Sequence, residues 1–248
     1  MAPITGHSIL VIGGSSGIGF AVAKLALAEK ARVMVASSSE TKVKNAVQRL
    51  FAASPGSYIT GYAVDLAGGD PEGQLEKLLT KATLPGPLDH IVYTAGRAQG
   101  KPVSDLDLDS SIEMARLPLF LPLLIAKLGP MFLKPGYTSS IIFTSGQVAE
   151  KPLPGYSVLA SFASALHGLT RNLALDLAPL RVNVVAPGPT ETELWGDHSS
   201  VIREMTIKQS PLGKPGSPDD VAEAYIYLMK NQDATGSIVS TNGGVVLK

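Results

Sequence analysis

Val11-Ile12-Gly13-Gly14-Ser15-Ser16-Gly17-Ile18-Gly19 is the stretch on which the reading of this chain turns. Ahead of it, His7 to Ile12 is a short apolar run of strand character, and after it Phe20 to Lys30 has helical spacing. Glycines at 13, 17 and 19 let the backbone turn tightly and approach a pyrophosphate with no Cβ in the way. The amides of the helix's first turn then point at the phosphates, where the helix dipole favours negative charge. Strand, turn and helix stand in the order a dinucleotide site requires, so Gly13, Ser15, Ser16, Gly17, Ile18 and Gly19 are expected to form its phosphate loop. An ordinary βα turn is the bland alternative for this element taken alone.

Outward from that loop, apolar strand-like runs alternate with helical stretches. Strands are predicted at 8–12, 32–37, 58–64, 88–94, 139–144, 180–186 and 237–241. Helices are predicted near 17–30, 40–53, 71–82, 105–133, 157–178 and 218–230. The last has a clear start, with Ser217 as N-cap, Pro218 in the first turn and Asp220 three residues after the cap. This order predicts an α/β fold, a three-layer, doubly wound parallel sheet of Rossmann type in a single domain over 1–248. Runs such as Ile91-Val92-Tyr93 and Ser140-Ile141-Ile142-Phe143 are apolar without alternation, as strands buried on both faces are. The segment 193–216 fits this plan least, being long, of mixed polarity and rich in charge around Trp195 and Met205. It reads either as a lid over a ligand or as a surface subdomain or oligomer contact.

The 248 residues suit one large α/β domain, and a hydrophobic content of 45% suffices for a sizeable core. Lys and Arg number 21 and Asp and Glu 21, so the zero net charge gives no case for nucleic acid or an anionic membrane as partner. Cysteine is absent, which excludes disulfides and thiolate chemistry. The four histidines, His7, His90, His167 and His198, show no metal-ligand spacing, and no metal is expected. No secretory signal and no bilayer-spanning run is visible, so a cytoplasmic protein acting on a small molecule is the expectation.

The second strand ends in Val35-Ala36-Ser37-Ser38-Ser39, with no acidic residue to accept from a ribose 2′-hydroxyl and none to repel a 2′-phosphate. Ser37, Ser38 and Ser39 offer donors there, with Lys42 one turn on, which favours NADP(H) over NAD(H). The serines also suit a helix N-cap cluster. Asp65, followed by Leu66 after the third strand, reads either as an adenine contact or as a strand-end turn residue.

Taken together, these motifs resemble the short-chain dehydrogenase/reductase family over nearly the whole chain. Its glycine motif corresponds to Gly13, Gly17 and Gly19, with Ile12 in place of the usual leading Thr, and its adenine-side Asp to Asp65. Its Asn-Asn-Ala-Gly turn stands as Tyr93-Thr94-Ala95-Gly96, with both Asn replaced. Arg181-Val-Asn-Val-Val-Ala-Pro187-Gly188 resembles the stretch at its sixth strand, and Thr190 and Thr192 follow where the nicotinamide amide is contacted. The resemblance implies that Ala95, Gly96, Pro187, Gly188, Thr190 and Thr192 complete a coenzyme site. It also implies a homodimer or homotetramer built through helices 105–133 and 157–178.

The family's tetrad is Asn, Ser, Tyr and Lys: Tyr protonates the carbonyl oxygen, Lys lowers its pKa from about 10, and Ser holds the substrate oxygen. Ser145 matches the Ser, but the Tyr position falls on Leu159, the Lys position on Ala163 and the Asn position on Arg116. Tyr156 lies three residues before the Tyr position and either reaches the pocket by its own route or packs where loop meets helix. Arg116 either stabilises an oxyanion or pairs with Glu113 one turn back, while Glu150 and Glu191 read as acid, anchor or solvated residues. Ser145, Arg116 and Tyr156 are therefore the candidate catalytic residues. The pattern is similar to an atypical branch of the family that lacks Tyr-x-x-x-Lys, some members of which reduce imine-type intermediates and assist cyclisation. The expectation is an NADPH-dependent reductase of non-standard mechanism acting on an activated C=N or C=C bond, conceivably C=O. The alternatives are a catalytically silent NADP(H)-binding sensor or scaffold and a redox-neutral pocket enzyme such as a cyclase.

Overall fold

Seven parallel strands form one sheet in the order β3-β2-β1-β4-β5-β6-β7 in the computed structural model, which describes residues 1–96 and 100–248. The strands are β1 (Ser8–Ile12), β2 (Arg32–Ser37), β3 (Ile59–Ala63), β4 (His90–Tyr93), β5 (Ser140–Thr144), β6 (Arg181–Pro187) and β7 (Ile238–Thr241). Helices α1 (Gly17–Ala28), α2 (Glu40–Ala53), α3 (Pro71–Ala82), α4 (Leu108–Ala115), α5 (Leu121–Leu128), α6 (Ser157–Asp176), α7 (Ser199–Gln209) and α8 (Pro218–Lys230) connect and cover them.

Alternate residues of each strand serve opposite cores, which is why the strands read as unbroken apolar runs. In β1, Leu10 and Ile12 face α3, α5 and α6 through Leu79, Ile125 and Leu166. Ile9 and Val11 face α1 and α8 through Val22, Leu27, Tyr225 and Met229. Strand order reverses between β1 and β4, so the loops leaving their carboxyl ends diverge and open a crevice there.

Two departures from the sequence reading bear on the site. The predicted helix 105–133 is broken: α4 ends at Ala115, Arg116–Phe120 forms a π-turn, and α5 follows. Pro118 has no N–H for the carbonyl of Met114, and Pro122 has none for that of Pro118. The ladder therefore slips by one residue, and the amide of Leu121 bonds the carbonyl of Arg116. The second departure lies in 193–216, which contains a turn at Glu193–His198, bent at Gly196, and then α7, rather than a continuous loop. Helix α8 starts as its sequence predicts, with Ser217 Oγ accepting from the amide of Asp220 at 3.0 Å. Among the described residues no helix is long and apolar enough to cross a membrane.

Candidate active site

The β1–α1 loop is folded against the exit of β4 with no space for a Cβ at Gly13 or Gly19. Gly13 has φ +95°, and a Cβ on it would stand 2.6 Å from the amide nitrogen of Ala95 and 2.7 Å from Thr94 Oγ1. A Cβ on Gly19 would strike the carbonyl of Gly13 and the same threonine oxygen. At Gly17, φ +52°, it would meet Thr192 Cγ2 at 3.1 Å. The amino end of α1 lacks an internal cap: Ser16 makes no side-chain cap and the first turn carries no acidic residue. The Gly17 amide instead donates to Glu193 Oε2 at 2.9 Å. A glycine cradle with open amides, one of them already on a carboxylate, fits a pyrophosphate.

At the adenosine end, Ser38 and Asp65 line one cavity of about 370 Å³ with Val64, Gly68, Gly69 and Gln74. Ser37 Oγ accepts from Ser15 Oγ at 2.9 Å, tying the end of β2 to the phosphate loop. Ser39 caps α2 by accepting from the amide of Lys42 at 3.3 Å, so of the three serines it has a helix-capping role. Asp65 accepts from the amide of Ala67 at 3.0 Å and so does serve a strand-end turn, while Leu66 is buried in the core behind it.

Across the crevice, Ser145 follows β5 and its Oγ donates to the carbonyl of Ala163 at 3.0 Å. The lysine of the resembled motif would stand at that alanine, and here the hydroxyl bonds the helix backbone instead. Gly188 permits a close approach of β6 to the β7 exit, where a Cβ would lie 2.6 Å from Asn242 Cα. Thr190 is buried and bridges to Gly216, so both ends of 193–216 leave from one place beside Thr192.

The π-turn places Arg116 where two elements meet. Its Nη1 donates to the carbonyl of Gly68 at 3.2 Å, its Nη2 pairs with Glu113 at 2.8 Å, and its Nε is buried without a partner among the described residues. The pairing with Glu113 and the exposure to a cavity thus occur together. That cavity, about 490 Å³, is lined by Arg116, Glu113, Lys101, Ser110, Leu117 and Leu159 among others. Tyr156 precedes α6 and its ring edge packs on Gly100, where a Cβ would come within 3.0 Å of Cε2. It is thus a residue at the junction of loop and helix.

A family model described as an SDR-like Rossmann domain matches residues 2–248. The chain belongs to the short-chain dehydrogenase/reductase family. It is 47% identical to short-chain dehydrogenase/reductase ATR9 of Stachybotrys chlorohalonatus, over 100% of both chains. Among solved structures it is similar to the MalC reductase/Diels-Alderase of Malbranchea aurantiaca, at 34% identity and TM-score 0.94, covering 99% of this chain and 98% of that one. It is also similar to a small-chain dehydrogenase in complex with NADPH, at 27% identity and TM-score 0.79, covering 98% and 99%.

Members of this family bind nicotinamide coenzymes, and the crevice above β1 and β4 is where this chain would hold one. Two of its tyrosines are excluded from proton donation by their surroundings. Burial pushes the Tyr93 and Tyr225 hydroxyls well above the usual phenol range. Tyr93 donates to the carbonyl of Leu117 at 2.8 Å, and Tyr225 is joined to Thr144 Oγ1 at 2.6 Å. His7 and His90 pair with each other at the opposite end of the sheet, 3.0 Å apart between ring nitrogens. Glu191, half exposed, pairs with Arg203. Two residues of the site escaped the sequence reading. Glu193 is signalled only by its place directly after Thr192, and Lys101 by nothing short of the fold.

Proposed function

We propose that this chain is an NADPH-dependent reductase of a small molecule, of non-standard mechanism, acting on an activated C=N or C=C bond in secondary metabolism. The observation that carries this reading is the pairing of a complete glycine cradle with a cavity bordered by Leu159 at the phenol's position and Arg116 at the asparagine's, with Ala163 where the amine would stand. Gly13 to Gly19 would hold the pyrophosphate, and Asp65 with Ser37, Ser38 and Ser39 the adenosine end. Ala95, Gly96, Pro187, Gly188, Thr190 and Thr192 would hold the nicotinamide. The absence of a carboxylate at the end of β2 supports NADP(H) over NAD(H).

When bound, the reduced nicotinamide supplies a hydride. Losing a general acid removes roughly 10²–10⁴-fold in rate, a loss a ketone bears fully and an already polarised bond bears least. Arg116, with its guanidinium fork of donors, would stabilise negative charge on an acceptor oxygen. Ser145 and Tyr156 would serve as polar groups of the site. The segment 193–216 would close over the substrate, pivoting at Gly196, whose φ of 50° and ψ of −137° interrupt the turn. Exposed Leu108, Ile112, Phe120 and Leu123 on and beside α4 and α5, with Leu175 on α6, suit the faces of a homodimer or homotetramer.

A second reading is favoured by one relative, whose name couples a reductase with a Diels-Alderase. In it, the pocket promotes a redox-neutral ring closure with the coenzyme in place. One assay separates the possibilities: NADPH absorbance recorded with iminium, enone and ketone substrates. Consumption with the iminium or enone exceeding that with the ketone is expected. Product without consumption points to the ring closure, and coenzyme binding with no turnover overturns both in favour of a silent binder.

A further inference from the structure

Lys101 has no part in the reading above, yet it is built into the wall of the cavity. Its Nζ donates to Ser110 Oγ at 2.7 Å and to Asp107 Oδ2 at 3.1 Å, at the amino end of α4. A cation there opposes the helix dipole, which favours negative charge at that end. Asp107 offsets the conflict. Its carboxylate caps α4 through the amide of Ser110 at 2.7 Å and takes the Ser110 hydroxyl at 2.8 Å, as well as the ammonium. Lys101 is therefore held in an unfavourable place by two groups, the Ser110 hydroxyl and the Asp107 carboxylate. Among the described residues two of its donors are used and the third is available, and its side chain, 28% exposed, lines the cavity.

The cations that line the cavity are Lys101 and Arg116, and each is paired with a carboxylate, Asp107 outside the lining and Glu113 within it, so among the described residues the local charge balances. Arg116 is anchored to the carbonyl of Gly68 and to Glu113, and its buried Nε lacks a partner among the described residues. Met114, Leu117, Pro118 and Leu159 supply the apolar wall. An anion on an apolar body would accept from the Lys101 ammonium and rest on that wall, whereas an iminium cation would find Glu113 already paired with Arg116 and gain nothing from Lys101.

We propose that Lys101 is a specificity-determining residue that binds a carboxylate on the substrate, so that the cavity selects an unsaturated carbonyl compound bearing a carboxylate over a cationic imine. The proposal rests on the reductase reading for the reaction and on the cavity alone for the recognition. Its test uses three probes: a cyclohexenone carboxylate, its methyl ester and N-methyl dihydroisoquinolinium. Calorimetric titration into the intact protein, with and without saturating NADP⁺, is expected to give the carboxylate at least tenfold tighter binding than the ester, and the cation the weakest. Lys101→Met should abolish the difference between carboxylate and ester, and Lys101→Arg should retain it, with circular dichroism and NADP⁺ affinity unchanged in both. Equal binding of carboxylate and ester, binding of neither, or a preference that survives in Lys101→Met overturns the proposal. NADPH consumption with the same probes is read separately. Its absence with all three refutes the reductase reading while the binding results still decide the role of Lys101.

Discussion

The Glu193 carboxylate accepts from the Gly17 amide at 2.9 Å, which sets an anion from the 193–216 segment on the donors that a pyrophosphate would use. A coenzyme bound by this loop would compete with the carboxylate for the same helix end, where two anions repel. Glu193→Gln should therefore tighten NADPH binding, by roughly two- to fivefold, the range a charge at an exposed helix end is worth. The effect should shrink at high salt because the carboxylate is solvent-exposed. Titration calorimetry of the two proteins at low and high ionic strength checks this. An unchanged or weakened affinity would show that Glu193 leaves the helix end without cost.

Glycines 19 and 168 should respond in opposite directions to alanine. A methyl on Gly19 drives into the Gly13 carbonyl and Thr94, both backbone-anchored, so Gly19→Ala should lower the melting temperature and abolish NADPH binding. Gly168 lies inside α6 with open space where its Cβ would stand. There the substitution removes backbone freedom from the unfolded chain and should stabilise by about 0.5–1 kcal/mol. Thermal denaturation of both variants, with a coenzyme titration, decides the matter.

The contrast shows which parts of the molecule were legible in the sequence. The phosphate loop, β1, β2, α2, α3 and α8 lie where the sequence places them because each carries its own punctuation: glycines, Ser39 and Ser217 caps, prolines at helix starts. The break at Arg116 was not legible as a break, since Pro118 and Pro122 announce disturbance without saying whether the chain kinks or slips by one residue. Helix α7 was hidden because its apolar residues, Val201, Met205 and Ile207, stay exposed and give no buried stripe to detect. Lys101 was invisible for another reason. Its contacts to Asp107 and Ser110 are short in sequence, but the meeting with Leu159 and Arg116 depends on how α4 packs against α6. Ser145 matched its motif, yet only the folded chain reveals that its hydroxyl donates to the carbonyl of Ala163.

Coenzyme choice follows from the end of β2. Ser38 is exposed there and shares a cavity with Asp65. Ser38→Asp would add a carboxylate that accepts from a 2′-hydroxyl and repels a 2′-phosphate. NADPH affinity should fall at least tenfold, about 1.4 kcal/mol, while NADH affinity holds or rises. Equal losses for both coenzymes would mean that Ser38 does not face the ribose.

Acid should destabilise the fold through a pair remote from the crevice. His90 is fully buried, with one ring nitrogen on Ser140 Oγ at 2.9 Å and the other on His7 at 3.0 Å. Burial holds the His90 imidazole well below its ordinary value of 6.5, and lowers His7 too, though Asp89 pulls His7 back. Lys134, and for His90 also Arg181, add positive charge that disfavours protonation. With folded pKa values below the unfolded value, the unfolded chain takes up protons first as pH drops. The stabilisation is then complete above about pH 6.5 and is lost progressively below it, by at most about 1.4 kcal/mol per pH unit for each proton. Urea denaturation at several pH values between about 7.5 and 5 should show the midpoint falling below 6.5. In His7→Gln the amide can still bond His90 but does not titrate, so the fall should be shallower. An acid slope identical to wild type would remove His7 from the account and leave His90, or carboxylates titrating lower, to explain it.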